Sequence, residues 1–136
     1  MTANREAVLF ANDAFYSAFA ERDMAAMEEL WATEAPVAVI HPGWHALTGR
    51  EEVMESWKAI LEGLNPPNIT CHAASAHVCG EVAYVLCYEQ VGGGFLVATN
   101  LFACEGGAWR MIHHQAGPTS LTELPEEEDP ASAAVH

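Results

Sequence analysis

The sequence predicts a single-domain α+β fold, in which helices come first along the chain and cover one face of a curved sheet. Apolar residues recur at helical spacing in the first half of the chain. From residue 68 onward, β-branched and alternating runs are separated by glycine-containing turns. A chain of 136 residues with 51% hydrophobic content is long enough to bury one core. Helices followed by a strand meander are typical of the α+β class.

Three helices are predicted before residue 62. The first begins at a cap provided by Thr2 or Asn4, the second is capped by Asp23, and the third begins at a capping box formed by Thr48 and Glu51. Each helix carries one apolar stripe. The stripes are Val8, Ala11, Phe15, Ala18 and Phe19 for the first, Met24, Met27, Leu30 and Trp31 for the second, and Val53, Trp57 and either Ile60 or Leu61 for the third.

Five strands are predicted, a short one followed by four consecutive antiparallel strands. The short run "PVAVIH" (36–41) ends where Pro42-Gly43 turns the chain, and the longer runs cover 68–78, 82–91, 95–104 and 109–116. Both alternating faces of 82–91 are apolar, so neither is expected to face water. If helices and a cavity cover one face, a second copy of the chain must cover the other, which predicts a homodimer.

The charge balance argues against several functions. Nineteen acidic residues stand against five basic ones, giving a formal net charge of −14 that should repel nucleic acid and anionic lipid. No apolar run reaches the roughly 18 residues of a membrane span, and the first residues lack the features of a signal peptide, so we expect a cytoplasmic protein without membrane contact. The acidic, proline-containing stretch 119–136 is expected to be a solvated tail outside a domain at 1–118.

Several local strings resemble the SnoaL-like branch of the nuclear transport factor 2-like superfamily. They are "ERDMAAMEELWA", "HPGW", "GREEVMESW", "VAYVLCYE" and "GGAWRMIHHQAGP", within Arg5 to Pro118. The order of elements is also similar to ketosteroid isomerase-like proteins and to the association domain of calcium/calmodulin-dependent protein kinase II. The resemblance implies a cone in which a bent sheet wraps around the long first helix, an apolar pocket, and dimers formed through the sheet. It implies no single chemistry, since cyclisation, isomerisation, dehydration, assembly and ligand binding all occur on this fold.

His41 is a candidate acid-base residue. It ends the short strand before a rigid turn, where a side chain can reach a cavity wall, and an unperturbed histidine pKa near 6.5 suits proton transfer. The alternative is a hydrogen-bonded edge residue. Asn12 and Tyr16 lie four residues apart on the first helix beside its apolar stripe. They either orient a ligand oxygen, with Tyr16 as the donor, or are satisfied by backbone and water.

The closing strand places His113 and His114 on opposite faces, so at most one can face a cavity. The resemblance to the association domain puts Asn100 and Ala116 towards the cavity, at positions where that family carries arginines. His114 shares the parity of Ala116, which selects His114 and Asn100 as site residues. Without those arginines, a carboxylate ligand has no evident clamp.

Two tryptophans complete the candidate site. Trp44 either covers an apolar ligand or caps the core, and Trp57 is either a core residue or a ligand contact. The seven histidines show no recognised metal-ligand spacing, and no cofactor motif is present, so neither a metal nor a cofactor is expected.

Two hypotheses about function stay open at this point. In the first, the protein holds a small, mostly apolar organic molecule and is a cofactor-independent isomerase, cyclase or dehydratase in which His41 or His114 moves a proton, while Tyr16 and Asn100 polarise a carbonyl or hydroxyl group. In the second, the protein is a non-catalytic ligand-binding or dimeric association module.

Overall fold

The computed structural model describes residues 2–125, and for residues 2 and 3 only the backbone is described. It contains three helices and six strands. These are α1 (Thr2–Ala20), α2 (Met24–Leu30), β1 (Ala38–Ile40), β2 (Leu47–Thr48), α3 (Arg50–Leu61), β3 (Ile69–Cys79), β4 (Val82–Val91), β5 (Gly94–Glu105) and β6 (Ala108–Pro118). Residues 119–125 form neither helix nor strand, and the remainder of the predicted acidic tail lies outside the described residues. The predicted domain boundary at residue 118 stays a prediction.

All six strands form one open, mixed sheet in the order β2-β1-β6-β5-β4-β3. Neighbouring strands are antiparallel except for β1 and β6, which run parallel and place Val39 opposite His114. The register of β3 shifts between His72 and Ser75, where Ala73 adopts a positive φ of 54°. Such bulges bend the strand that contains them. The predicted α+β class, with helices on one face of a curved sheet, is confirmed.

The core lies between the helices and the inner face of the sheet. Phe15 of α1 and Trp57 of α3 are fully buried, and their ring centroids are 5.4 Å apart in an edge-to-face arrangement. Phe19 approaches the same indole at 5.5 Å. Aromatic pairs of this geometry stabilise a core beyond the area they bury. The cluster therefore holds α1 against α3 above the strands.

The two apolar faces of β4 have different environments. Ala83, Val85 and Cys87 are fully buried under the helices, whereas Tyr84 and Leu86 point outward and are each 42% exposed. The helices thus cover the face of the smaller residues. The larger residues are left partly exposed on the outer face.

The start of α3 differs from the predicted capping box. Gly49, with φ of 86°, is the N-cap, and the helix begins at Arg50. Glu52, one residue beyond the predicted Glu51, accepts a 3.0 Å hydrogen bond from the Thr48 backbone N–H. The Arg50 guanidinium donates to the backbone carbonyl of Glu28 in α2 and to those of the two residues that follow this helix. The hydrogen bonds of Arg50 therefore connect the first residue of α3 to the C-terminal end of α2.

Within residues 2–125, no helix is both long enough and apolar enough to cross a membrane.

Candidate functional site

A cavity of about 320 Å³ opens between the end of α1, the loop after β1, α3 and the sheet. We call it the inner cavity. Its walls are mainly apolar, and three of its lining residues carry titratable side chains: His41, Glu89 and His114. Its lining residues are Phe19, His41, Pro42, Trp44, Ile60, Pro67, Ile69, Glu89, Val91, Leu96 and His114.

Larger grooves exist on the surface, but their chemistry is different. One of about 730 Å³ runs between α1, α2 and the start of β6, and its charged lining residues are Glu29 and Arg110. A second, of about 590 Å³, contains Arg50 and Glu105. The carboxylate of Glu105 is already engaged, because it accepts hydrogen bonds from the backbone of residues 33–35. Buried groups with shifted pKa values are typical of functional sites, and they lie at the inner cavity.

His41 follows β1 directly and is buried. Its Nε2 lies 2.9 Å from Oγ of Ser56, and that hydroxyl donates its own hydrogen to the Val53 carbonyl at 2.7 Å. Because the hydroxyl hydrogen is already used, the imidazole must be the donor to Ser56, which places the proton on Nε2. Nδ1 of the neutral ring is then an acceptor. Burial lowers the pKa of His41 to about 4, so the neutral ring prevails at pH 7.

His114 lies on β6 opposite Asn100 of β5. Its Nδ1 is 2.5 Å from the side-chain oxygen of Asn100, which can only accept a hydrogen bond. The proton of the neutral ring is therefore on Nδ1, and Nε2 carries the lone pair. Nε2 is 3.9 Å from Oε2 of Glu89, which is too long for a direct hydrogen bond. Burial, followed by the neighbouring His41 and His113, lowers the pKa of His114 to about 3.

Glu89 is a buried carboxyl group on β4. Its Oε2 accepts a 2.6 Å hydrogen bond from the Tyr16 hydroxyl of α1. Burial raises the pKa of Glu89, and the Tyr16 hydrogen bond opposes that rise. Burial also raises the pKa of Tyr16, with smaller contributions from Cys87 and Glu89, so the phenol keeps its proton. The pair therefore presents a carboxyl group to the cavity from a fixed direction.

The side chain of Asn100 connects Glu89 and His114, the first through the Tyr16 hydroxyl and the second by a direct contact. Its nitrogen donates to Oδ1 of Asn12 at 2.8 Å and to the Tyr16 hydroxyl at 3.1 Å, while its oxygen contacts His114. This network connects α1 to β5 and β6 behind the cavity wall. Buried polar groups with complete partners hold a single arrangement of side chains. Tyr16 and Asn100 therefore fix the orientations of Glu89 and His114.

The structure brings most of the predicted site residues together, in two layers. His41, Trp44 and His114 line the inner cavity, whereas Asn12, Tyr16 and Asn100 lie behind its wall. Trp44 is at the exposed rim, with its ring 4.9 Å from that of His41. Trp57 is fully buried against His41, with 4.7 Å between ring centroids, and its indole nitrogen has no hydrogen-bond partner among the described residues.

Sequence reasoning missed Glu89 and Ser56. A signal for Glu89 was available, since it continues the alternation of Ala83, Val85 and Cys87 and therefore places a carboxyl group on a buried face. Ser56 follows Val53 by three residues on the buried side of α3. No local pattern links it to His41, because the contact depends on how α3 packs over β1.

Comparison with known proteins assigns the family. The model of the SnoaL-like domain matches residues 8–119, which is most of the chain. The chain belongs to the SnoaL-like domain family. One curated relative is F-box protein SKIP8 of Arabidopsis thaliana, 28% identical over 116 residues. The match covers 84% of this chain and 50% of that protein, so this SnoaL-like chain spans half the length of its relative.

Solved structures agree with this SnoaL-like assignment. A candidate dehydratase of the NTF2-like family from Streptomyces avermitilis is 29% identical with a TM-score of 0.81, and the match covers 88% of this chain and 99% of that one. A candidate calcium/calmodulin-dependent protein kinase type II association domain from Thiobacillus denitrificans is 28% identical with a TM-score of 0.67, covering 81% and 93% of the two chains. The predicted resemblance is confirmed at the level of family and fold.

The described part of this SnoaL-like chain contains no group of three or more histidine, cysteine, aspartate or glutamate side chains that could hold a metal ion.

Proposed function

We propose that the inner cavity binds a small, largely apolar organic molecule and that Glu89, His41 and His114 transfer protons to and from it. The observation that carries this proposal is the position of three buried titratable groups on an otherwise apolar cavity wall. Concave sites with mainly apolar walls and a few convergent polar groups are the usual form of small-molecule sites. The chemistry needs no cofactor, because the chain's own side chains can accept and return the proton.

The reaction class that fits is an isomerisation, cyclisation or dehydration. Each of these needs a proton removed at one atom of the ligand and a proton added at another. A neutral histidine with a lone pair on Nε2 can accept a proton, and burial raises the pKa of Glu89, which favours the protonated carboxyl group that can give one. Tyr16 and Asn100 are assigned here as positioning residues for Glu89 and His114, because their hydrogen bonds already go to these groups.

Ligand binding is tested by a thermal-shift screen with cofactor-free organic molecules. A ligand that binds only the folded state raises the melting temperature. Leu96 lines the inner cavity, so Leu96→Trp should fill it and remove the shift. Leu64→Trp is the matched control, since Leu64 is 96% exposed and not among the lining residues. Hits that shift the Leu96→Trp variant as strongly as the wild type would contradict binding in this cavity.

Proton transfer is tested with the hits from that screen. Incubation in D₂O followed by NMR measures deuterium incorporation at carbon, with Glu89→Gln as the comparison. General acid-base catalysis contributes roughly 10²–10⁴-fold, so the variant should exchange at least about 100-fold more slowly. Binding without any exchange in the wild type would instead favour a non-catalytic binding module.

The exposed apolar residues on the outer face of the sheet also favour self-association of the protein. Tyr84, Leu86 and Val97 lie exposed on this face, and apolar patches of this kind are usually buried against a partner. We propose that a second copy of the chain covers them in a homodimer. This is compatible with either function of the inner cavity, because the dimer face and the cavity lie on opposite sides of the sheet. The cytoplasmic location likewise stays a prediction.

A further inference from the structure

The polar wall of the inner cavity sets a requirement on the ligand's functional group. Nε2 of His114 carries a lone pair, because the ring proton is used in the hydrogen bond to Asn100. Oε2 of Glu89 lies 3.9 Å from this nitrogen, which leaves the two groups close but not bonded. A ligand atom placed between them can contact both.

Glu89 complements His114 by supplying a hydrogen. Burial raises the pKa of this carboxyl group, which favours its protonated form, and the protonated group has an O–H to donate. The ligand atom between the two side chains must then accept from Glu89 and donate to His114. A hydroxyl group does both, whereas a ketone or ether oxygen only accepts and leaves Nε2 without a partner.

The charge of the wall excludes another ligand class. None of the lining residues within the described chain is a lysine or arginine, and burial keeps His41 and His114 neutral at pH 7. A carboxylate ligand would therefore meet two acceptor nitrogens and a carboxyl group without a compensating cation. Burying an unpaired charge in such surroundings is unfavourable.

We propose that the inner cavity selects an uncharged ligand with a hydroxyl group on an apolar body, and that this hydroxyl bridges Glu89 and Nε2 of His114. This inference rests on the proposed function, since it specifies the ligand of the same cavity. At the rim, Trp44 and Ile60 would cover the apolar body of the ligand.

The test compares four ring compounds that share one apolar body: para-cresol, para-methylanisole, para-methylacetophenone and para-toluate. Their dissociation constants are measured by NMR titration of the full-length chain at pH 7. We expect para-cresol to bind at least about tenfold more tightly than the ether, the ketone or the carboxylate, because a site built to bond a hydroxyl discriminates against analogues that lack it. Long-range ¹⁵N–¹H spectra should show the His114 proton on Nδ1.

A variant isolates the His114 contact. His114→Phe keeps a ring of similar shape without the acceptor, so the preference for para-cresol over para-methylanisole should fall towards one. His113→Phe is the matched control, because the neighbouring His113 is not among the cavity-lining residues and bonds to the Ala38 carbonyl. If His114→Phe does not fold, the comparison of the four compounds on the wild-type chain decides the matter.

The outcomes separate this inference from the proposed function. If the ether or ketone binds at the cavity as tightly as para-cresol, if para-toluate binds most tightly, or if the His114 proton is on Nε2, the hydroxyl bridge is wrong while small-molecule binding stands. If none of the compounds shifts the resonances of the cavity-lining residues, both the bridge and the proposed binding function are contradicted.

Discussion

The Tyr16 hydroxyl donates a 2.6 Å hydrogen bond to Oε2 of Glu89, joining residues 73 positions apart in the sequence. Both side chains are buried, so the bond forms where water cannot replace it. It connects the first helix to the fourth strand at the polar end of the inner cavity. Because the bond favours the ionised carboxylate, it limits the rise in the Glu89 pKa that burial causes.

Tyr16→Phe should destabilise the protein most where Glu89 is ionised. The phenylalanine leaves a buried carboxylate without its donor, and hydrogen bonds to charged groups contribute about 1.5–3 kcal/mol to the free energy of unfolding. Urea unfolding over a pH series should show a loss that grows as the pH rises through the native pKa of Glu89 and approaches this size once the carboxyl group is ionised. In a Glu89→Leu background the same substitution should cost less, and the remaining loss should come from the buried Asn100 amide, which donates to the Tyr16 hydroxyl. Tyr84→Phe, on the exposed face, is the matched control, and an equal loss there would contradict the assignment.

Acid should destabilise the protein through its buried histidines. His41 and His114 have pKa values lowered to about 4 and about 3, below the value near 6.5 expected in the unfolded chain. At pH values between the native and the unfolded pKa, the unfolded state therefore binds more protons than the native state. The histidine contribution to the free energy of unfolding is present above about pH 6.5 and is lost as the pH falls towards the native pKa values. From pH 8 to pH 5 each histidine should account for about 2 kcal/mol of lost stability. Glu89 contributes with the opposite sign, because its pKa is raised: its contribution falls as the pH rises through the native pKa.

The histidine contribution is isolated by substitution. Urea unfolding of His41→Phe at pH 8 and pH 5 should show a pH-dependent loss about 2 kcal/mol smaller than that of the wild type. His45→Phe, at an exposed position not among the cavity-lining residues, is the control. A His41→Phe protein with the full wild-type loss would show that His41 does not carry this linkage.

Arg50→Lys should weaken the connection between α2 and α3. The guanidinium donates to three backbone carbonyls at or after the end of α2, the shortest at 2.6 Å, and a lysine ammonium cannot reproduce this fork of donors. We expect a loss of about 1–3 kcal/mol in the free energy of unfolding, measured by urea titration. Arg5→Lys, at an exposed position of α1, should change stability by less than about 0.5 kcal/mol. Equal effects of the two changes would contradict a specific role for Arg50.

The outer face of the sheet should mediate dimerisation. Leu86→Lys places a charge in the middle of the exposed apolar face, so light scattering after size exclusion should show the mass fall from twice 14.7 kDa to that of one chain. Leu64→Lys changes another exposed leucine that lies outside the sheet and should leave the dimer intact. A wild-type protein that is monomeric at micromolar concentration would contradict the homodimer.

The sequence alone determined the elements of this fold with good accuracy. The run predicted at 82–91 is the observed β4, and the other long strands match within a few residues at each end. Helix and strand formation depend on the periodicity of neighbouring side chains, which is visible in the sequence. The short β2 was missed, since two residues carry too little periodicity to detect.

Only the tertiary structure decided how the site is assembled. The parallel pairing of β1 with β6 sets Val39 beside His114, and the packing of α3 over β1 supplies Ser56 to His41. A register shift between Leu101 and Phe102 allows both Met111 and His114 to be buried, although simple alternation would place them on opposite faces. Local side-chain patterns specify helices and strands, but hydrogen-bond partners and proton positions depend on contacts between residues far apart in the chain, which form only when the sheet and helices pack together.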